Sequence, residues 1–223
     1  MSADNLVKFV GPRLRSLGAR GVFAAVLVAW ALVVAFGFWK LWAYTGASGK
    51  EEPPAQNWPK YAAVSLDPKG FTLVLALHPQ CPCSRATVEQ LDWILARCPN
   101  RLTVYAMYLK PDSMPESWVR TDIWERTKRM RHVTNVLDSK GSQARLFGAA
   151  TSGDVFVFDP SGTLLFRGGI TRARGHAGDS AGRDAIVGLV SGKKPVTDRA
   201  PVFGCPLFAE QGLARQTAGD GGS

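Results

Sequence analysis

A long apolar run that ends in two closely spaced cysteines constrains the fold more than any other stretch of the chain. Residues 71–77, FTLVLAL, are almost continuously apolar, as expected of a central strand that is covered on both faces. From Ser84 onwards, apolar side chains recur at steps of three and four, which predicts a helix that ends before Pro99. Cys81 and Cys83 are therefore expected in the turn between a buried strand and the start of a helix.

The rest of the chain alternates between strand and helix patterns. The further elements expected from these patterns are strands at 102–108, 132–138, 154–158 and 163–170, and helices at 116–131, 140–149 and 181–192. The sequence DPSG at 159–162 has the residues of a type I turn, so the last two strands should form a hairpin. A strand–helix alternation followed by a hairpin and a closing helix predicts an α/β fold with a mixed central sheet flanked by helices.

The N-terminal part carries an apolar run long enough to cross a membrane. Residues 22–39 contain no charge and no proline, and as a helix they would span about 27 Å of a roughly 30 Å hydrocarbon core. Aromatic residues within 39–44 are typical of the membrane interface, and the preceding segment is basic. We expect a cytoplasmic segment at 1–20, a single transmembrane helix at 21–43 and the remainder in a bacterial periplasm. A cleaved signal peptide is the alternative.

Composition divides the rest of the chain into three parts. Residues 44–59 combine Gly, Ser, Pro-Pro and charges without periodicity, which predicts a linker. The folded domain is predicted at 60–192. The tail at 193–223 is predicted to be mostly unstructured, except for the apolar segment 201–208.

The positive charge of the chain does not indicate a nucleic-acid partner. The formal net charge is +9, but the basic residues are scattered rather than gathered in one stripe. The densest group lies within 120–131, together with acidic residues. We interpret it as a solvated helix face, with a docking patch for an acidic partner or lipid headgroups as the alternative.

The cysteine pair at the tip of the first central strand gives residues 60–192 a resemblance to the thioredoxin fold. More narrowly, HPQCPCSRAT at 78–87, the stretch 147–186 and PVFGCPL at 201–207 resemble the RedB-like proteins, which are membrane-anchored with a thioredoxin-type domain. This resemblance implies a family and a fold. Thioredoxins carry a cis-proline before the hairpin, where this chain has Thr151-Ser152-Gly153, so substrate docking is expected to differ.

The position of Cys81 and Cys83 favours redox chemistry. A helix N-terminus carries unpaired N–H groups and a partial positive charge, which stabilise a thiolate. Pro82 fixes the backbone between the two cysteines, and Ser84 stands where the second cysteine of a C-x-x-C motif would be. A disulfide across one residue would be strained and easily reduced. We expect Cys81 to react with the substrate and either Cys83 or Cys205 to resolve the mixed disulfide.

The other two cysteines have several interpretations. Cys98 lies on the apolar face of the predicted helix, so it is expected to be a buried structural residue, with a Cys98–Cys205 bridge as the alternative. Cys205 lies on the tail and could resolve Cys81, pair with Cys98 or remain free. Four cysteines allow three complete pairings, and the sequence does not choose among them.

A metal site is the alternative to redox chemistry. His78, Cys81 and Cys83 form H-x-x-C-x-C, and together with His176 they offer the soft ligands that Cu(I) accepts. In the redox interpretation no cofactor is expected, His78 shapes the surroundings of the thiols and His176 is a loop residue.

The sequence thus predicts a membrane-anchored periplasmic thiol–disulfide oxidoreductase that acts on thiols or disulfides of exported or membrane-bound proteins. A Cu(I)-binding assembly factor is the second hypothesis. The third is a degenerate thioredoxin fold that serves only as an interaction module.

Overall fold

The computed structural model describes residues 18–208, which divide into a helical unit and a compact unit. The first is built from helix α1 (Ala19–Gly46), and the second begins at Thr45. Among the described residues, α1 is the one helix that is long and apolar enough to cross a membrane, and it contains the predicted span 21–43. Most of the predicted cytoplasmic segment, up to residue 17, lies outside the described residues.

One mixed sheet organises the compact unit. Its strands are β1 (Phe71–Leu77), β2 (Leu102–Lys110), β3 (Val133–Ser139), β4 (Val155–Phe158), β5 (Leu164–Gly168) and β6 (Arg199–Ala200). The strand order is β3-β2-β1-β4-β5-β6. Strands β1, β2 and β3 are parallel, β4 is antiparallel to β1, and β4 and β5 form the predicted hairpin. Strand β6 adds a parallel edge next to β5.

Helices cover both faces of the sheet. They are α2 (Cys83–Arg97), α3 (Glu116–Val119), α4 (Asp122–Lys128), α5 (Ser142–Phe147) and α6 (Ala181–Val190). Apolar side chains of α2, α4 and α6 form the core on one face, and α5 contributes to the core on the other.

Strand β1 contributes to both cores, which explains its continuous apolar sequence. Leu73, Leu75 and Leu77 face α2 and α6, whereas Val74 and Ala76 face α5. Each of these side chains is at most 1% exposed. Burial of one leucine contributes about 1.5–3 kcal/mol to stability. The buried side chains therefore hold β1 firmly in the sheet, and β1 in turn fixes the position of the turn that follows it.

The connection order identifies the fold. Strand β1, helix α2 and strand β2 form a parallel unit, and the β4–β5 hairpin followed by α6 completes the sheet beside β1. This is the topology of the thioredoxin fold, with β3 and β6 added at the edges. The predicted fold class is therefore confirmed.

The basic stretch between β2 and β3 is less regular than its sequence suggests. The predicted helix at 116–131 is interrupted at Arg120, whose backbone leaves the helical region with ψ at 63°, and so it forms the two short helices α3 and α4. The basic side chains here are largely exposed, and Arg120 and Arg126 pair with acidic residues. This arrangement matches the solvated face expected from the sequence.

The segment predicted as a linker is ordered along the compact unit. The N–H of Gly49 donates to the carbonyl of Val202 at 2.7 Å, and the N–H of Trp58 donates to that of Gly162 at 2.7 Å. The Trp58 ring also packs edge-on against two phenylalanines of the α5 side core, with centroids 5.3 and 5.2 Å away. The compact unit thus begins before residue 60, because backbone pairing holds a segment that lacks any periodic pattern.

Part of the tail is also ordered. Strand β6 pairs with β5, and Val202, Phe203 and Leu207 are buried. Gly168 makes this pairing possible, since a Cβ there would collide with the backbone of Ala200, and its φ of +140° disfavours other residues. The apolar segment 201–208 is packed as predicted, and residues 209–223 lie outside the described residues.

Candidate active site

The turn after β1 places Cys81 at the N-terminus of α2. The N–H of Cys81 donates to the carbonyl of His78 at 3.1 Å, and the N–H of Ser84 donates to that of Cys81 at 3.0 Å. Pro82 has helical φ and ψ of −58° and −32°, so it leads directly into the first turn. Cys81 is only 3% exposed.

The structure brings Cys205 against Cys81. Their Sγ atoms lie 2.7 Å apart, although 124 residues separate them in sequence, and both are free thiols. Because a disulfide has an S–S distance of about 2.05 Å, a movement of less than about 1 Å would join them. Of the three possibilities stated for Cys205, this arrangement favours pairing with Cys81.

Backbone pairing holds the tail in this position. The N–H of Ser152 donates to the carbonyl of Cys205 at 2.8 Å, and the N–H of Leu207 donates to that of Ala150 at 2.9 Å. Thr151 and Pro206 form an antiparallel bridge between these two bonds. The Thr151-Ser152-Gly153 segment, which stands in place of the thioredoxin cis-proline, therefore carries the chain's own tail.

Two further contacts fix the residue before Cys205. The guanidinium of Arg174 donates to the carbonyl of Gly204. Gly204 also passes so close to the carbonyl oxygen of Ser152 that a Cβ would overlap it. Glycine is required here by the close approach of two backbones.

Hydrogen bonds make Cys81 the most acidic thiol of the site. Burial raises the pKa of Cys81, but the Cys205 thiol and the backbone N–H groups of Cys205, Cys83 and Ser84 outweigh it, so that the pKa lies below its usual value. Burial, the hydrogen bond to Cys81 and the negative charge of Cys81 raise the pKa of Cys205 to about 12. Of the two thiols, Cys81 therefore loses its proton first, and Cys205 stays protonated as its hydrogen-bond donor.

Cys83 is a third thiol at the same place. It is half-buried as the first residue of α2. Burial raises the pKa of Cys83, as do the charge of Cys81 and a hydrogen bond to it, whereas the nearby guanidinium of Arg174 lowers it. Cys83 therefore lies within the electrostatic field of Cys81 but is the weaker acid of the two.

A buried hydroxyl pair connects the Cys81 turn with the segment that carries the tail. The N–H of His78 donates to Oγ of Ser152 at 2.8 Å, the two hydroxyls of Ser152 and Ser84 lie 3.0 Å apart, and Ser84 Oγ donates to the carbonyl of His78 at 3.1 Å. Both serines are at most 2% exposed. The sequence signalled both positions only as departures from thioredoxin motifs, and it gave no sign that they touch.

The two histidines of the copper hypothesis are not gathered around the thiols. His78 is half-buried, burial lowers its pKa, and its ring packs edge-on against Trp118 at 5.4 Å. Its Nδ1 accepts from the N–H of Gln80 at 3.2 Å. His176 is exposed in the loop after β5. Within residues 18–208 no group of three or more His, Cys, Asp or Glu side chains is arranged to hold a metal ion, so the copper hypothesis gains no support.

Cys98 is the buried structural cysteine that its position on the helix predicts. It is 3% exposed in the core, and burial raises its pKa. It caps the C-terminus of α2, about 22 Å along the helix axis from the end where Cys205 lies. The alternative Cys98–Cys205 bridge is incompatible with this arrangement.

Comparisons with known proteins support the fold. No family model and no curated protein matches the sequence. A hypothetical protein of Sinorhizobium meliloti superposes with a TM-score of 0.57 at 21% identity, covering 73% of this chain and 100% of its own. The chain has a thioredoxin-like fold.

Two other solved structures are similar. An uncharacterized conserved protein of Geobacillus kaustophilus has a TM-score of 0.50 at 19% identity, covering 74% of this chain and 94% of its own. A secreted disulfide oxidoreductase of Mycobacterium tuberculosis has a TM-score of 0.38 at 17% identity, covering 57% and 84%. At these identities the similarity concerns the fold alone, and the RedB-like assignment stays a prediction.

Proposed function

We propose that this protein is a thiol–disulfide oxidoreductase whose redox couple is Cys81 with Cys205. The observation that carries the proposal is the 2.7 Å separation of their Sγ atoms at the N-terminus of α2. The sequence predicts that Cys81 acts with Cys83 in a Cys-Pro-Cys site, with Cys205 as the second candidate for the resolving thiol. The geometry favours Cys205, because the ordered tail presents it to Cys81 without a strained one-residue ring.

The chemistry is a two-electron exchange with a substrate protein. The dithiol form transfers two electrons and two protons to a substrate disulfide, which becomes two thiols while the Cys81–Cys205 bond forms. The reverse reaction oxidises a substrate dithiol and breaks that bond. Each direction passes through one mixed disulfide, which the other cysteine or the second substrate thiol resolves.

The cellular setting is part of the proposal. Helix α1 would anchor the protein in a bacterial cytoplasmic membrane, with the compact unit in the periplasm, where disulfides persist. Its substrates would then be thiols or disulfides of exported or membrane-bound proteins.

Cysteine variants of the full chain test the proposal. Reduced and oxidised protein in detergent is mixed with a disulfide-containing and a dithiol peptide, respectively, and the exchange rate is measured. Cys81→Ser and Cys205→Ser should each abolish complete exchange, whereas Cys98→Ser should retain it. If Cys83→Ser abolishes exchange and Cys205→Ser does not, the couple is Cys81 with Cys83. If no variant changes the rate, the fold acts only as an interaction module.

A further inference from the structure

We propose that the substrate sulfur bonds to Cys205, so that the tail cysteine, rather than Cys81, contacts the substrate during exchange. The inference rests on the proposed Cys81–Cys205 couple and assigns the reacting sulfur within it. It differs from the expectation drawn from the sequence, in which the cysteine at the helix N-terminus meets the substrate.

Burial is the first argument. Cys81 is 3% exposed, and its sulfur is surrounded by the N–H groups of Cys83 and Ser84 and by the Cys205 thiol. An incoming thiolate approaches a disulfide sulfur from the side opposite the departing sulfur. Around the Cys81 sulfur, the backbone N–H groups of Cys83 and Ser84 restrict that approach. Cys205 is half-buried on a surface tail, so its sulfur offers the more open approach.

The departing sulfur is the second argument. Attack at Cys205 expels Cys81, whose negative charge already accepts hydrogen bonds from the backbone and whose pKa they lower. Attack at Cys81 would expel Cys205, whose pKa burial raises. Because thiols of lower pKa depart faster, both accessibility and the departing group favour attack at Cys205 in the step that breaks the protein disulfide.

Backbone hydrogen bonds of the tail keep Cys205 in place during this step. The bonds from Ser152 to the Cys205 carbonyl and from Leu207 to Ala150 use backbone atoms only, so they persist when the sulfur changes partner. The mixed disulfide therefore forms beside Cys81, which can reverse it by attacking the Cys205 sulfur.

The oxidation of a substrate dithiol then proceeds in two balanced steps. A substrate thiolate attacks Sγ of Cys205, the Cys81–Cys205 bond breaks, and its electron pair stays on Cys81 as a thiolate. The second substrate thiolate attacks the substrate sulfur of the mixed disulfide. This step forms the substrate disulfide and releases Cys205, which takes one of the two substrate protons while the other goes to solvent.

Mapping of a trapped mixed disulfide tests the inference. The full chain in detergent is oxidised with diamide, freed of reagent, mixed briefly with reduced glutathione and quenched with acid. Peptic peptides prepared at low pH then show which cysteine carries glutathione. A Cys83→Ser chain is treated in parallel, so that migration of glutathione to the third thiol is identified.

The expected result is glutathione on Cys205 at least ten times more often than on Cys81 at the earliest time, in both chains. An equal or greater yield on Cys81, or an intact Cys81–Cys205 bond that forms no mixed disulfide, would overturn the inference while leaving the couple established. If diamide forms no Cys81–Cys205 bond, the proposed function fails together with the inference.

Discussion

The backbone N–H of Ser152 donates to the carbonyl oxygen of Cys205 at 2.8 Å, and this bond joins the segment before the hairpin to the tail. The side-chain Oγ of Ser152 accepts a hydrogen bond from the N–H of His78, in the turn that carries Cys81. One buried residue therefore sets the relative position of the two sulfurs, which explains how a cysteine on a tail can form part of an active site.

Substitution Ser152→Ala should raise the pKa of Cys81. The change leaves the N–H of His78 without its acceptor and removes one of the two partners of the Ser84 hydroxyl, while the backbone bond to Cys205 remains. A buried unsatisfied donor costs about 1–3 kcal/mol, so the turn around Cys81 should loosen and its N–H groups should hold the thiolate less well. The pH dependence of Cys81 alkylation by iodoacetamide measures this.

Ser191→Ala is the matched control, because Ser191 is exposed at the end of α6. It should leave both the alkylation profile and stability unchanged. An unaltered or lowered Cys81 pKa in the Ser152 variant would contradict the positioning role.

Substitution Gly204→Ala should separate the two sulfurs. A Cβ at this position overlaps the carbonyl oxygen of Ser152, so the tail must move away from the segment that carries it. We expect the equilibrium constant for Cys81–Cys205 bond formation to fall at least tenfold, corresponding to about 1.4 kcal/mol. Titration with glutathione buffers measures this constant.

Gly188→Ala provides the comparison, since a Cβ there meets no atom within 4 Å and the residue lies within a helix. This change should leave disulfide formation intact and stabilise the chain slightly. Equal disulfide equilibria in the two glycine variants would show that the tail is not positioned by its contact with Ser152.

The buried Asp154–Arg167 pair predicts a specific pH dependence of stability. Burial raises the pKa of Asp154 to about 6, although the guanidinium of Arg167 at 3.1 Å opposes this. Because the folded value exceeds the unfolded value of 3.8, the folded state holds the proton more tightly. The stabilisation by protonation is therefore complete below about pH 4 and is lost as the pH rises through 6.

Urea unfolding of the wild type and Asp154→Asn between pH 4 and 7 measures this effect. Relative to the variant, the wild type should lose about 2–3 kcal/mol of unfolding free energy over the interval. A difference that is constant, or that grows with pH, would show that Asp154 is ionised throughout.

Substitution Trp58→Ala should destabilise the compact unit. Its ring packs against Phe147 and Phe158, so removal of the ring leaves a gap beside the α5 core. Because Trp58 is only partly buried, the expected cost is about 1–3 kcal/mol, below that of a fully buried aromatic residue. Thermal unfolding of the full chain measures the loss.

Tyr61→Ala serves as the control, since Tyr61 is 78% exposed. Its unfolding temperature should match that of the wild type. If the two aromatic variants unfold together with the wild type, the segment before residue 60 is a linker, as its composition suggested.

The sequence was most informative where local pattern and burial agree. The continuous apolar run of β1, the helical repeat of α2 and the DPSG turn each predict their element, because each arises from side chains close together in the chain. The position of Cys81 at a helix N-terminus followed from the same patterns. The break of the basic helix at Arg120 did not follow from these patterns, since it depends on how α3 packs against β2 and α4 against β3.

The partner of Cys81 could not be chosen from the sequence. Cys205 reaches it through the pairing of β6 with β5 and of the tail with Ala150 and Ser152, and these backbone contacts carry no side-chain pattern. The segment before residue 60 is likewise ordered by backbone contacts that leave no pattern in the sequence. In both segments, the sequence feature that indicated packing was the presence of large apolar residues, namely tryptophan, phenylalanine or leucine, within an otherwise irregular stretch.

The most direct test of this account is to determine which cysteines pair. The full chain in detergent is equilibrated in glutathione buffers, quenched with acid and mapped by mass spectrometry. We predict one reversible protein disulfide, Cys81–Cys205, with a reduction potential above about −300 mV and with Cys83 and Cys98 reduced. A Cys81–Cys83 disulfide as the main oxidised form, with Cys205 free, would contradict it.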